Sequence, residues 1–227
     1  MNRLLASLPP DDLARVRTHL RTVPVHARDV FQRPGERFDQ VLFLRSGVAS
    51  FTTLMSDGTM IETATVGREG LVGVDAFYGS DVATWESLLQ VGDDEADAMS
   101  LEAFREELAR RGPFFDTVRR FSLALMTLVM QSAACLALHE VQERCARWLL
   151  MTHDRVDGDE FHLSHEFLAS MLGSTRPTVT LAAGALQRAG LISYKHGRIT
   201  ILDRAALERA SCECYSTVRE NFARLGV

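Results

Sequence analysis

The chain has 227 residues, 46% of them apolar and 24% charged, with a formal charge of −5. That balance provides for a packed core and excludes both a disordered chain and a protein that is basic overall. Four cysteines, Cys135, Cys145, Cys212 and Cys214, are too few and too irregularly spaced for a disulfide-stapled secreted fold, and the opening MNRLLASLPPDDL holds no apolar signal core, so a cytoplasmic location is expected.

Residues 23–99 read as strands. Runs such as VLFLRSGVASFTTLM and MIETATV are broken at Pro34-Gly35, Ser46-Gly47, Asp57-Gly58 and Gly92-Asp93. Asp57-Gly58 between two β-prone runs is a hairpin signal, because both residues tolerate positive φ. Strands at this spacing predict an antiparallel roll, barrel or sandwich. The following stretch, GDDEADAMSLEAFREEL, is strongly acidic.

Pro113 starts a helical pattern, and residues 114–152 contain no glycine or proline, so one helix of about 39 residues is expected. Phe121, Leu125, Leu128, Ser132, Cys135 and His139 alternate four and three apart, the spacing of a coiled-coil seam, and are the expected dimerisation residues. Leu123, Met126, Met130, Ala133 and Ala137 form a second apolar stripe. Two stripes imply two packing partners, the β-domain and the same helix of a second subunit. The uncharged stretch 121–138 is near the lower length of a membrane span, but it carries Ser122, Thr127, Gln131 and Ser132 and runs on into charged residues, so a buried helix is expected and no membrane partner.

Residues 154–159, DRVDGD, read as a polar joint. Ser164 is the expected N-cap of a helix carrying Phe167, Leu168, Met171 and Leu172, and Gly173 permits a tight turn. A second helix starts after Thr175 with Pro177 in its first turn, where a missing N–H costs nothing, and ends near Ala189-Gly190. LISYKHGRITIL then reads as a hairpin turning at His196-Gly197, which completes a winged helix-turn-helix. Residues 161–204 carry a local balance of about +3.

In the second helix Val179, Ala182, Ala183 and Leu186 form the inward face. Arg176, Pro177, Thr180, Leu181, Gly184, Gln187 and Arg188 form the outward one. A glycine there costs about 1 kcal/mol relative to alanine and permits close approach from outside. The expected partner is double-stranded DNA, with this helix in the major groove. Arg176 suits a guanine edge and Leu181 a thymine methyl. Ser164, Ser174, Thr175 and Thr178, with the two helix N-termini, suit phosphates. Lys195, His196 and Arg198 on the wing suit the backbone.

The chain resembles the Crp/Fnr-type transcription regulators, the group that includes the cyclic-AMP receptor protein. The likeness spans roughly residues 8–207 and is strongest in FLASMLGSTRPTVTLAAGALQRAGLISYKHGRITILDRAAL. It implies an α+β fold in three parts: an antiparallel β-roll sensor with an N-terminal helix (1–112), a long dimerisation helix (113–153) and a winged helix-turn-helix (154–227). It also implies a homodimer on a near-palindromic operator, with RNA polymerase as a partner.

Two departures stand out. Laid onto this sequence without gaps, the family's cyclic-nucleotide cassette puts its Gly-Glu on Gly73-Val74 and its Arg-Ser on Thr84-Trp85, so both charged groups are missing. Since a buried phosphate needs its cation, no cyclic-AMP response is expected and the effector is unknown. The best-known recognition pattern, Arg-Glu-x-x-x-Arg, becomes Arg176, Pro177 and Leu181, which predicts a different operator.

No cofactor or metal is expected. Cys212-x-Cys214 has no evident second ligand pair, and the family's iron–sulfur members use cysteines near the N-terminus, whereas none here precedes Cys135. Cys135, Cys145 and His139 read as packing residues. No nucleophile, P-loop or metalloprotease motif suggests an enzyme. Two alternatives stay open: a constitutive DNA binder with a purely structural roll, and a ligand-binding module acting through a protein partner.

Overall fold

The computed structural model describes residues 1–92 and 94–226, so the expected turn at Gly92-Asp93 falls partly outside the described residues, as does Val227. Two short helices, α1 (Arg3–Ala6) and α2 (Pro10–Arg17), precede strands β1 (Leu20–Val25), β2 (Val30–Gln32), β3 (Gln40–Leu44), β4 (Val48–Leu54) and β5 (Met60–Val66). A 3-10 helix (Val74–Tyr78) leads to β6 (Glu86–Val91) and β7 (Asp94–Ser100). All pairings are antiparallel, in sheets ordered β1-β7-β3 and β2-β6-β4-β5, which together form the roll. The β4–β5 hairpin turns at Asp57-Gly58, with Gly58 at φ +85° and Asp57 Oδ1 accepting from the Thr59 N–H at 2.9 Å. Fully buried Asn2 ties the N-terminus to the roll by donating to the carbonyls of Leu44 and Gly70.

Next come α3 (Leu101–Ala109), α4 (Pro113–Leu138) and α5 (Val141–His153). The single long helix expected over 114–152 is therefore two. His139 and Glu140 leave helical backbone angles, and the carboxylate of Glu143 accepts from the N–H of Glu140 at 3.1 Å to begin α5. No glycine or proline marks this break; side chains make it.

The α4 seam is also reversed. Phe121, Leu125, Leu128, Ser132 and Cys135 are buried within the chain's own fold, and His139 turns toward Glu213, so the expected dimerisation residues are not presented to a second copy. They pack on the roll and on the C-terminal helix because a 3–4 spacing selects any apolar partner, and the nearest is in the same chain. Phe121 lies so close to Gly70 that a Cβ there would stand 2.2 Å from its ring. The other stripe is the open one: Leu123, Met126 and Met130 are 41%, 48% and 65% exposed. Helix α4 is long and apolar enough to cross a membrane by length and composition, yet ten of its residues are buried in the protein.

The rest of the chain is β8 (Glu160–His162), α6 (His165–Met171), α7 (Arg176–Arg188), β9 (Ile192–Lys195), β10 (Arg198–Ile201), α8 (Arg204–Ala210) and α9 (Cys214–Leu225). The hairpin β9–β10 is joined by β8 in a three-stranded antiparallel wing sheet ordered β8-β10-β9. One continuous apolar core runs from the roll through α4 and α5 to α7 and α9.

Candidate nucleic-acid interface

Ser164 caps α6 by accepting from the N–H of Phe167 at 3.1 Å. Gly173 takes φ +55° and turns the chain, and Thr175 caps α7 by accepting from the N–H of Thr178 at 3.4 Å. Pro177 sits in the first turn of α7, where no intrahelical partner is lost. Val179, Ala182, Ala183 and Leu186 are buried, while Arg176, Pro177, Thr178, Thr180 and Arg188 are exposed and Leu181 is 70% exposed. The helix presents its polar N-terminal turns and one large leucine to solvent. A Cβ on Gly184 would meet only the flexible end of Arg188, at 3.3 Å.

At the wing tip His196 and Gly197 both take positive φ, +51° and +76°, the two-residue turn that matches strand twist. Lys195 and His196 are exposed beside it, and Ser174 lies half-buried in the turn before α7. Not every cation counted in the sequence is available. Arg198 pairs with Glu160 and contacts His162, and Arg204 pairs with Asp154 and Glu208. Arg176, Arg188 and Lys195 form no ion pair among the described residues. Gln187 is taken up as well, its Oε1 accepting from the Tyr194 N–H at 2.7 Å, so it braces α7 against β9.

Sequence reading missed His165. Its ring stacks on Tyr194 at 4.1 Å, with Nδ1 3.0 Å from the hydroxyl of Thr180 on the outward face of α7. Burial, then the charge of Arg176, holds its pKa below the usual imidazole value. The 162–168 stretch, HLSHEFL, had no periodicity that distinguished this histidine. Strand β8 was missed because three residues carry too short a pattern.

In the roll, the four expected cassette positions fall on the 3-10 helix and the segment entering β6. Gly73 is left-handed at φ +92° and Val74 is buried. Thr84 donates through its hydroxyl to Oδ1 of buried Asp75 at 2.6 Å, and Trp85 packs on Phe51 at 5.6 Å. The segment is thus closed on itself by a carboxylate, where a cyclic phosphate would require a cation.

The expectation that Cys212 and Cys214 lack a second ligand pair does not hold. Cys135 and His139, one turn apart at the end of α4, meet them, and the four ligand atoms all lie within 4.8 Å of one another. Elements distant in sequence supplied the pair, so no linear motif displayed it. Cys145 stands apart in α5, and burial pushes its thiol up to about 12.

A domain model described as the Crp-like helix-turn-helix domain matches residues 143–210. The transcriptional regulator LdrP of Thermus thermophilus is 30% identical over 188 residues, covering 77% of this chain and 89% of LdrP. Among solved structures, FixK2 from Bradyrhizobium japonicum matches with a TM-score of 0.72 at 15% identity, over 85% of this chain and 98% of FixK2. A second solved structure, a CRP-family transcriptional regulator also from Thermus thermophilus, matches with a TM-score of 0.68 at 24% identity, over 83% and 96% of the two chains. The solved structures establish the fold, and the identity to LdrP extends over most of that regulator: the chain belongs to the Crp/Fnr family of DNA-binding transcription regulators.

Proposed function

We propose that the protein acts in the cytoplasm as a homodimeric regulator that inserts α7 of each subunit into successive major grooves of a near-palindromic operator. The observation that carries this reading is the outward face of α7. It is open to solvent, and its cations Arg176 and Arg188, with Lys195 on the wing, have no ion-pair partner among the described residues to be displaced. Arg176 reads a guanine edge, Leu181 packs on a thymine methyl, and Thr175, Thr178 and the helix N-termini hold phosphates. The second copy is held by the exposed stripe Leu123, Met126 and Met130 of α4. RNA polymerase is the partner of the DNA-bound dimer.

The closed Asp75–Thr84 segment supports a roll that has lost its response to cyclic nucleotide. It equally favours a second reading, in which the roll is a scaffold and DNA binding is constitutive. The deciding experiment is DNA retardation by the purified full chain across a salt series, with and without cyclic AMP and a small-metabolite extract. The main reading expects log affinity to fall steeply with log salt, no effect of cyclic AMP, and a change with extract. An affinity that extract leaves unchanged favours the scaffold, and no retardation of any genomic fragment at low salt overturns both.

A further inference from the structure

The C-terminal end of α4 and the link between α8 and α9 bring three cysteines and a histidine together in the interior. Cys135 Sγ is 3.5 Å from Cys212 Sγ, and Cys214 Sγ is 3.5 Å from His139 Nδ1. All four atoms lie within 4.8 Å of one another. A tetrahedral zinc with bonds of about 2.3 Å to sulfur and about 2.0 Å to nitrogen needs ligand atoms about 3.5–3.8 Å apart. The cluster is therefore already near the edge length of such a tetrahedron. We propose that Cys135, His139, Cys212 and Cys214 form a binding site for one zinc-class divalent cation that fastens the α8–α9 link to the end of α4.

The surroundings fit this role. Cys135 and Cys214 are fully buried and Cys212 is 4% exposed, which suits a closed structural site with no position left for water. The Nε2 of His139 stands 3.1 Å from the carboxylate of Glu213, leaving Nδ1 to face the sulfurs. A carboxylate on the far nitrogen is the usual device for fixing the tautomer and orientation of a metal-bound imidazole. Gln131 donates from Nε2 to Cys214 Sγ at 3.0 Å, a second group that orients a ligand atom. Arg147, bonded to Ser132 one turn before Cys135, brings a positive charge toward Cys135. Three thiolates and one divalent cation leave a net charge of −1, and with the Glu213 carboxylate −2, which that guanidinium offsets in part.

Two other uses of the same residues fit less well. An iron–sulfur cluster distributes its ligands over more than one iron and needs them farther apart than this compact set allows. A Cys135–Cys212 disulfide would leave Cys214 and the Glu213-oriented His139 without a task. The site also accounts for the break in the long helix, because leaving helical angles at His139 is what aims its ring at the sulfurs.

The test is metal analysis of the full chain purified under reducing conditions without chelators. One zinc per chain is expected. Replacement by cobalt(II) should give thiolate-to-cobalt charge transfer and the intense d–d bands of a tetrahedral site. Cys212→Ser should abolish stoichiometric zinc, whereas Cys145→Ser and His139→Cys should keep it. Glu213→Ala should weaken zinc about 10–100-fold against a chromogenic chelator. A chain that is folded by circular dichroism yet carries no zinc, and that takes none from that chelator, would overturn the proposal. So would iron–sulfur absorbance, or a Cys135–Cys212 disulfide under the same conditions.

Discussion

Arg155 and Glu69 join the two halves of the molecule, Arg155 Nε donating to Glu69 Oε1 at 2.8 Å with the two side chains 8% and 11% exposed. Around this pair the backbone is also tied: Gly47 N–H donates to the carbonyl of Arg155, and Arg68 donates to the carbonyl of Val156 and pairs with Asp157. A Cβ at Gly67 would stand 2.7 Å from the Arg155 side chain, so glycine is what lets the guanidinium reach. The polar joint 154–159 is therefore latched to the roll. Any reorientation of the winged domain must first release this latch. Glu69→Ala should strand a mostly buried guanidinium and cost about 3 kcal/mol in denaturant unfolding, whereas Glu69→Leu with Arg155→Met should cost much less. Equal losses in both variants would mean that the ion pair is not what matters.

The exposed stripe of α4 makes the dimer testable apart from DNA. Burying each methionine contributes about 1.5–3 kcal/mol, so Met126→Glu with Met130→Glu should raise the dimer dissociation constant at least about a hundredfold. Sedimentation velocity reads this directly. Glutamates substituted at the buried seam, for example at Leu128, should instead unfold the chain. A double variant that stays fully dimeric would exclude this stripe as the interface.

On DNA, Arg176 and Lys195 should separate by kind. Arg176→Ala should cost about 1–3 kcal/mol on a selected operator and relax preference at one base pair. Lys195→Ala should weaken all sequences alike and reduce the salt slope by about one. Anisotropy titrations on operator and scrambled duplexes distinguish them. Identical behaviour of the two variants would refute the assignment of roles.

These contrasts show where the sequence was informative. The winged helix-turn-helix was legible because its punctuation is local: Ser164 and Thr175 as caps, Pro177 in a first turn, Gly173, Gly190 and Gly197 at positive φ. Asp57-Gly58 was legible for the same reason. The break at His139 was not, since Glu143 and distant Glu213 make it and no residue type in 114–152 announces a stop. The seam was misassigned because period alone selects an apolar face without saying what covers it. The metal-type cluster needed tertiary structure outright, its two ligand pairs lying more than 70 residues apart. Arg198 and Arg204 counted as available charge until Glu160 and Asp154 were found beside them.

Gly184 offers a prediction that separates stability from function. Alanine there meets only Arg188 Nη1, which can swing aside, so Gly184→Ala should stabilise the free protein by up to about 1 kcal/mol. A larger side chain, as in Gly184→Leu, should leave the fold intact and lower operator affinity by blocking close approach of the duplex. Unchanged affinity in Gly184→Leu would place the DNA elsewhere on the domain.

Glu62 sets a pH dependence. Its carboxyl, bonded to Ser50 and to Trp148 Nε1, is raised from 4.5 to about 7 by burial, against those hydrogen bonds and the charges of Arg147 and Arg155. Below about 4.5 the group is protonated in both folded and unfolded chains and has no effect. Between 4.5 and 7 the unfolded chain loses the proton while the folded one keeps it, so stability falls as pH rises through that window. The full span at about 1.4 kcal/mol per pH unit gives an upper bound of about 3.5 kcal/mol, reduced to roughly 2 because the residue keeps some solvent exposure. Glu62→Gln preserves both hydrogen-bonding partners without the charge. Its urea midpoint should match the native chain at pH 4 and exceed it at pH 7.5. Parallel profiles for the two proteins would mean that Glu62 ionises in the fold as readily as in water.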